Sequence, residues 1–154
     1  MKLHYYLRPE RVIMDLQTGG VADTLRRMVE QLASEGAVDE ASSVLAALLE
    51  RESSQSTGLG GGIAIPHAVY PDLEETLIQL ALSRDGVDFQ ALDEKPVHLF
   101  FLLLSPPAQS GTHIKLLARI ARLMRQPHFL EELLRERSAA DVIARIRTTD
   151  EEHP

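Results

Sequence analysis

Two of the six histidines stand where a reactive imidazole would be reachable. His67 ends the stretch STGLGGGIAIPHA, directly after Ile65 and Pro66, and His113 follows Leu104-Ser105-Pro106-Pro107 where a helical pattern begins. A neutral imidazole nitrogen is a nucleophile and can accept a phosphoryl group. If the apolar runs before His67 and His113 lie side by side in one sheet, the two rings converge. Arg51, on the helical segment before the glycines, carries a planar fork suited to phosphate oxygens. A helix N-terminus beside His113 would add unpaired N–H groups and partial positive charge, favouring anions and a neutral ring. The plainer alternative is two unrelated loop histidines and a solvated arginine, and spacing alone leaves both open. His4 and His153, near the termini, read as solvated; His98 reads as a structural, hydrogen-bonded histidine; His128 has no evident partner.

Other chemistries fit less well. A Walker loop needs a lysine after its last glycine, and no lysine lies between Ser53 and Val69. A dinucleotide fingerprint starting at Gly58 would meet Ile63 at its last glycine position, and a helix rather than a strand precedes it. The glycines therefore read either as a plain turn or as a frame that makes room for His67, with Leu59, Ile63 and Ile65 as apolar walls. Zinc would need a third ligand, and no HExxH pair is present, so no metal is expected. A Gly-x-Ser-x-Gly nucleophile turn is also missing.

The elements that must position these residues follow from periodicity. Leu25, Met28, Val29 and Leu32 predict a helix after Thr18-Gly19-Gly20, capped by Gly36. A second helix from near Asp39 carries Val44, Leu45, Leu48 and Leu49. Ile63-Ala64-Ile65 reads as a short strand stopped by Pro66, which lacks an N–H. Residues 76–83 (TLIQLALS) read as a strand, with turns at Arg84-Asp85-Gly86 and at Asp93-Glu94-Lys95-Pro96. Residues 97–104 (VHLFFLLL) are apolar almost throughout, as in a strand covered on both faces. A helix over about 112–125 is expected to turn Ile114, Leu117, Ala118, Ala121 and Met124 inward. Two shorter helices follow, separated near Arg137, the second opened by a Ser138–Asp141 capping pattern. The fold class is α/β: a single domain with a small mixed central sheet flanked by helices on both faces. The domain spans 1–154, with a core of about 7–147 and a polar tail, 148–154, expected to be disordered.

Composition narrows the function. A chain of 154 residues that is 44% hydrophobic can bury a real core. Cysteine is absent, which removes thiolate chemistry and fits a reducing compartment. A net charge of -7 sets the chain against nucleic-acid binding, which needs a positive field. The start lacks a signal-peptide apolar region and the longest apolar run is far too short to span a bilayer. A cytoplasmic, soluble protein with no membrane insertion is the expectation.

Taken together, LLERESSQSTG, STGLGGGIAIPHA and DFQALDEKPVHLFFLLLSPPAQSGTHIKLLARIARLM resemble the fructose/mannitol-type (type-2) IIA domains of the bacterial phosphoenolpyruvate:sugar phosphotransferase system (PTS). The amino-terminal RPERVIMDLQTGGVADTLRRMVEQL matches the same layout, so the resemblance covers about 7–147. GIAIPH and the TH that opens a helix are its most specific elements. The resemblance implies a phosphocarrier, a phosphotransferase component rather than a free-standing enzyme, with no cofactor. His67 would accept the phosphoryl group from a histidine-containing phosphocarrier protein (HPr-like). His113 would orient the group and Arg51 would hold its charge. One departure stands out: SPPAQSGTH replaces an alanine-aspartate-glutamine pattern after a single proline.

The sequence reads as one domain with no attached transporter segment, so the expected recipient is a separate IIB transporter domain or a regulated protein. The RPERVIMDL layout resembles the nitrogen-regulatory type more than the sugar-transport type. A stand-alone IIA subunit of a fructose/mannitol-type transporter is the alternative. A non-catalytic interaction module with the same fold is a third reading.

Overall fold

The computed structural model describes residues 2–153; Met1 and Pro154, the two ends of the expected domain, lie outside the described residues. The elements in chain order are β1 (Val12–Ile13), α1 (Val21–Ser34), α2 (Ala41–Ser54), β2 (Gly58–Gly60), β3 (Ile63–Ala64) and β4 (His67–Val69). They continue with β5 (Leu77–Val87), β6 (Val97–Ser105), α3 (Ser110–Met124), α4 (Phe129–Arg135) and α5 (Ala139–Glu152).

The sheet is mixed and six-stranded, ordered β1-β5-β6-β3-β2, with β4 also paired to β6. β5 and β6 run antiparallel, while β3 and β4 both run parallel to β6. β6 alternates as a doubly covered strand should. Phe100, Leu102 and Leu104 pack with Leu25, Met28, Val44 and Leu48 under α1 and α2. Leu99, Phe101 and Leu103 pack with Leu116, Ile120, Leu133, Val142 and Ile146 under α3, α4 and α5. Helices therefore cover both faces of one small sheet, as the sequence predicts.

Local signals explain several ends. Gly36, at φ +81°, closes α1, with the Ala37 N–H on the Leu32 carbonyl at 2.9 Å. The Ser138 hydroxyl accepts from the Asp141 N–H at 3.1 Å and caps α5.

Three expectations are corrected. Arg84-Asp85-Gly86 is not a turn between strands: β5 runs on to Val87, and its register with β6 shifts between Leu82 and Val87. Gly86 takes φ +84° within this bulge, where a Cβ would meet the Pro96 Cβ at 2.7 Å. On α3 the buried residues are His113, Leu116, Ile120 and Leu123; of the expected set Leu117 and Met124 are half-buried against the same core, whereas Ile114 is 66% exposed. SGTHIKLLARIARLM carries two overlapping stripes, and the sheet takes the one that includes a histidine. Finally, the chain beyond Arg147 is not frayed: α5 continues to Glu152, and Asp150 is only 1% exposed.

Asp150 is held because it ties the chain ends together. Its Oδ2 accepts the Leu3 N–H at 3.0 Å, and its Oδ1 accepts from Arg119 Nε on α3 at 2.6 Å. Val142, Ile146 and Asp150 share one buried stripe, so the acid occupies a position that a polarity count assigns to solvent. Breaking a buried charge pair from one side costs about 3 kcal/mol or more. Asp150→Ala should lower unfolding free energy by about that amount in urea titration with an unchanged slope. A loss of under about 0.5 kcal/mol would show that the anchor does not stabilise the fold.

Candidate functional site

His67 opens β4, and its position is set by β6. Ile63 pairs with Leu99 and His67 with Leu103 at the same residue offset, so β3 and β4 form one ladder interrupted at Pro66. The proline cannot donate, but its carbonyl still accepts the Leu103 N–H at 2.9 Å. His67 therefore does not follow a stopped strand, as the sequence suggested; it begins the strand's second half. The ring folds back on its own backbone, with Nδ1 lying 2.6 Å from the Ile65 carbonyl. A carbonyl only accepts, so Nδ1 carries the proton and Nε2 keeps its lone pair.

His113 approaches from the first turn of α3. Its ring centroid lies 5.6 Å from that of His67, at an interplanar angle of 59°. Its Nδ1 lies 2.8 Å from Ser105 Oγ, at the end of β6. The last turn of α2 brings Arg51 to the same place. The surface depression is lined by Ala47, Glu50, Arg51 and Ser54 of α2, His67, Ala68 and Val69 of β4, and His113. Arg51 Nη1 donates to the Gln55 carbonyl at 3.0 Å, which holds the side chain without neutralising it. The structure thus brings together all three residues singled out in the sequence: His67, His113 and Arg51.

Burial is the main force on both rings. It holds His67 below the ordinary histidine value; the Ile65 carbonyl opposes that shift, Arg51 adds to it and Glu52 opposes it. His113 is likewise pushed down, by burial first and by His67 second. Both rings are neutral at pH 7, which is the state a nitrogen nucleophile needs. Among the described residues no group of three or more His, Cys, Asp or Glu side chains is placed to hold a metal ion.

The glycine run has a different task from the expected one. Gly60, Gly61 and Gly62 take φ of +116°, +71° and +79° and make the β2–β3 hairpin. The Gly62 carbonyl accepts from His98 and Leu99, at the opposite end of β6 from Ser105. That hairpin lies four residues along the ladder from His67, about 13 Å away. None of the glycines lines the site, and neither do Leu59, Ile63 or Ile65; its apolar lining is Ala47, Ala68 and Val69.

Some residues carry more than their sequence context suggested. Glu52 is buried: Oε2 accepts the Thr57 N–H at 2.6 Å and Oε1 the Thr57 hydroxyl at 2.7 Å, pinning the exit from α2 beside Arg51. Ser105 ends an otherwise apolar strand, and a buried polar residue there is itself a sign of a partner. Among the other histidines, His98 donates from Nδ1 to the Ser83 carbonyl at 2.9 Å, as expected. His128 is not without a partner, since its Nδ1 lies 3.3 Å from Glu131. The His4 ring is not simply solvated: its Nδ1 is buried with no hydrogen-bond partner among the described residues.

The ring environments set a pH signature. Both rings bind a proton less tightly folded than unfolded. Between their lowered folded values and about 6.5 the unfolded chain binds more protons, so stability is full above about 6.5 and falls as pH falls through that window. Nitrogen-15 NMR titration should place both midpoints below about 6.5 and show the Nδ1–H tautomer on His67. His67→Gln and His113→Gln should each flatten the acid limb of the stability curve. A midpoint at or above the free-histidine value would contradict the burial argument.

Comparison with known proteins gives the context for this pair of rings. Residues 5–148 match the family model described as phosphoenolpyruvate-dependent sugar phosphotransferase system, EIIA 2. The nitrogen regulatory protein of Bradyrhizobium diazoefficiens is 35% identical over 131 residues, covering 85% of each chain. The fructose-specific EIIA component of Haloferax volcanii is 38% identical over 114 residues, covering 72% of this chain and 74% of that one. The fructose-specific EIIABC component of Bacillus subtilis is 31% identical over 97% of this chain, which spans only 24% of that longer protein. Among solved structures, the nitrogen regulatory protein IIA-Ntr of Neisseria meningitidis superposes with a TM-score of 0.86 at 30% identity, covering 94% of this chain and 98% of that one. Escherichia coli enzyme IIAMTL, solved in complex with phosphorylated enzyme IIBMTL, shares the fold at a TM-score of 0.77 and 22% identity, over 91% and 96% of the two chains. This chain belongs to the EIIA 2 family of the phosphoenolpyruvate-dependent sugar phosphotransferase system.

Proposed function

We propose that this protein is a phosphohistidine carrier in which His67 Nε2 receives a phosphoryl group from an HPr-like carrier and hands it on. The observation that carries this reading is the tautomer imposed by the Ile65 carbonyl, which leaves Nε2 unprotonated beside His113 and Arg51. In the transfer, the P–N bond of the donor phosphohistidine breaks as the bond to His67 Nε2 forms, in line. The donor ring regains its lone pair. The His67 ring, still protonated at Nδ1, takes on positive character that the Ile65 carbonyl at 2.6 Å stabilises. The Arg51 guanidinium and the His113 ring hold the equatorial oxygens, where charge is concentrated.

A protein donor needs a surface as well as a nucleophile. Val69 and Ile114, next in sequence to Ala68 and His113, are 46% and 66% exposed. Val69 lines the depression with both rings, so exposed apolar area suited to a protein partner lies beside them. The proposed recipient is a IIB transporter domain or a regulated protein. Among the described residues no helix is long and apolar enough to cross a membrane, and we place the exchange in the cytoplasm, in keeping with a sequence that has no cysteine.

Within the family we favour the nitrogen-regulatory type, on the TM-score of 0.86 with IIA-Ntr and the match to the Bradyrhizobium protein over 85% of both chains. A stand-alone sugar-transport subunit is supported by the 38% identity to the Haloferax EIIA component. Transfer from the charged protein to a fructose-type IIB domain separates the two readings: efficient transfer supports transport, and its absence supports regulation.

Incubation with phosphoenolpyruvate, the first enzyme of the system and HPr should add one acid-labile phosphate, read by mass. His67→Ala should abolish uptake, and His113→Ala should slow it while leaving some labelling. Arg51→Ala should slow it by about 10²–10³-fold. Full uptake by His67→Ala would remove His67 as acceptor, and no uptake by the unmodified protein would favour a non-catalytic interaction module.

A further inference from the structure

His113 stands on a weak first turn. α3 opens Ser110-Gly111-Thr112-His113, and its N-cap residue, Gln109, makes no side-chain cap bond. The turn contains no acid to meet the positive end of the helix. Gly111 weakens it further: an added Cβ there would meet nothing within 4 Å, so packing does not require glycine, and glycine is the poorest helix former after proline. A helix end built this way frays unless something outside the helix holds it. Yet the His113 ring is 7% exposed and stands 5.6 Å from the His67 ring.

The outside restraint is the Gln109 side chain, which reaches back to the start of β5. The last pair of the β5–β6 ladder is Leu77 with Leu104, and Thr76 stands just beyond it. Gln109 Oε1 accepts the Thr76 N–H at 2.9 Å and the Thr76 hydroxyl at 2.6 Å. Two donors meet at one atom, so that atom is the amide oxygen and not the nitrogen. The same hydroxyl also donates toward Ser105 Oγ at 3.2 Å. Thr76 is buried, so its N–H loses its partner outright if Gln109 lets go.

The loop between strand and helix is stiff. Pro106 and Pro107 fix two successive φ angles, and the Gln109 N–H returns to the Pro106 carbonyl at 3.0 Å. Ser105 is held in the sheet by its pairing with Val69. The segment from Ser105 to Gln109 is thus tied at both ends. His113 follows the second tie by about one helical turn.

We propose that Gln109 is a positioning residue for His113: by accepting both donors of Thr76 it clamps the uncapped first turn of α3 onto the sheet end and fixes where the His113 ring stands relative to His67. Its use in transfer rests on the phosphocarrier reading, whereas the clamp exists in the uncharged protein. The same strand end that sets His67 then also sets the helix that carries the second ring, through a side chain and not through the helix's own capping.

Gln109→Met keeps the length of the side chain and removes the acceptor. In the uncharged protein, amide hydrogen exchange at Ile114 and Lys115, which close the first turn, should quicken about 10-fold, while Ile120 to Leu123 keep their rates. The His113 midpoint in a nitrogen-15 titration should rise toward about 6.5 as the ring loses burial, with His67, Arg51 and Glu50 unaltered around it. Phosphate uptake from HPr should fall in kcat by about 10-fold or more, with KM for HPr unchanged. Thr76→Val takes one donor from the other side of the clamp. It should give the same changes more weakly alone, and little further change in the Gln109→Met background. A general loss of stability would instead speed the slowest amides of the sheet and leave the His113 midpoint in place. Unchanged exchange at Ile114 and Lys115 with an unchanged midpoint in Gln109→Met, or additive effects in the double variant, overturns the proposal. Exchange and titration need no phosphate, so the clamp and the carrier reading fail separately.

Discussion

The site depends on the pairing of β6 with the interrupted strand at its edge. β6 is buried on both faces and bonded on both sides, to β5 and to β3 with β4. A strand so enclosed has no room to slip, because a one-residue shift would exchange its two apolar faces. Its last residues therefore act as a fixed rail. Leu103 sets His67, and Ser105 touches His113. The two imidazoles come from segments far apart in sequence, yet their separation is set by one strand end. Arg51 is the exception: it arrives from α2, across the edge, and is held locally by the Gln55 carbonyl.

Much of this was legible in the chain itself. The unbroken apolar run of β6, the Gly36 terminus of α1 and the Ser138 cap of α5 are local signals, and local physics decides them. The pairing of His67 with His113 was visible as two strand exits but needed the sheet order to become a distance. What stayed hidden shares one cause. Polar residues that serve the interior are invisible to a hydrophobic periodicity: Asp150 on α5, Glu52 on α2, Ser105 on β6 and His113 on α3 all lie on buried faces. On α3 that single histidine decides between two stripes, and counting it as polar rotates the whole helix by about one residue's 100°.

The glycine run and the proline divide labour in a way their adjacency in sequence concealed. The glycines turn the chain so that β3 can enter parallel to β6, and their positive φ values serve the hairpin alone. Pro66 acts where the chemistry is. By withholding one N–H it opens the edge ladder for a single step while its carbonyl keeps the strand attached. The Ile65 carbonyl lies on the other side of the strand, where the Ile65 N–H donates to the Thr57 carbonyl and the Thr57 N–H is taken by Glu52, and it is the acceptor for the His67 ring.

In the proposed carrier, the forces on the His67 ring would also set how a phosphoryl group leaves. A ring in an apolar pocket resists positive charge, which keeps it neutral and nucleophilic before transfer; burial is the largest effect on His67 for this reason. After the proposed transfer the ring would bear positive character, and the same burial would then raise the energy of the phosphorylated state. The Ile65 carbonyl and Glu52 pull the other way, each favouring the cation. A site with only the apolar term would attack poorly, since the charge that develops would find no partner. A site with only the polar terms would be protonated, or would hold its phosphate too firmly to pass on. The opposed effects around one imidazole keep both directions within reach, which is what a carrier, as distinct from a sink, requires.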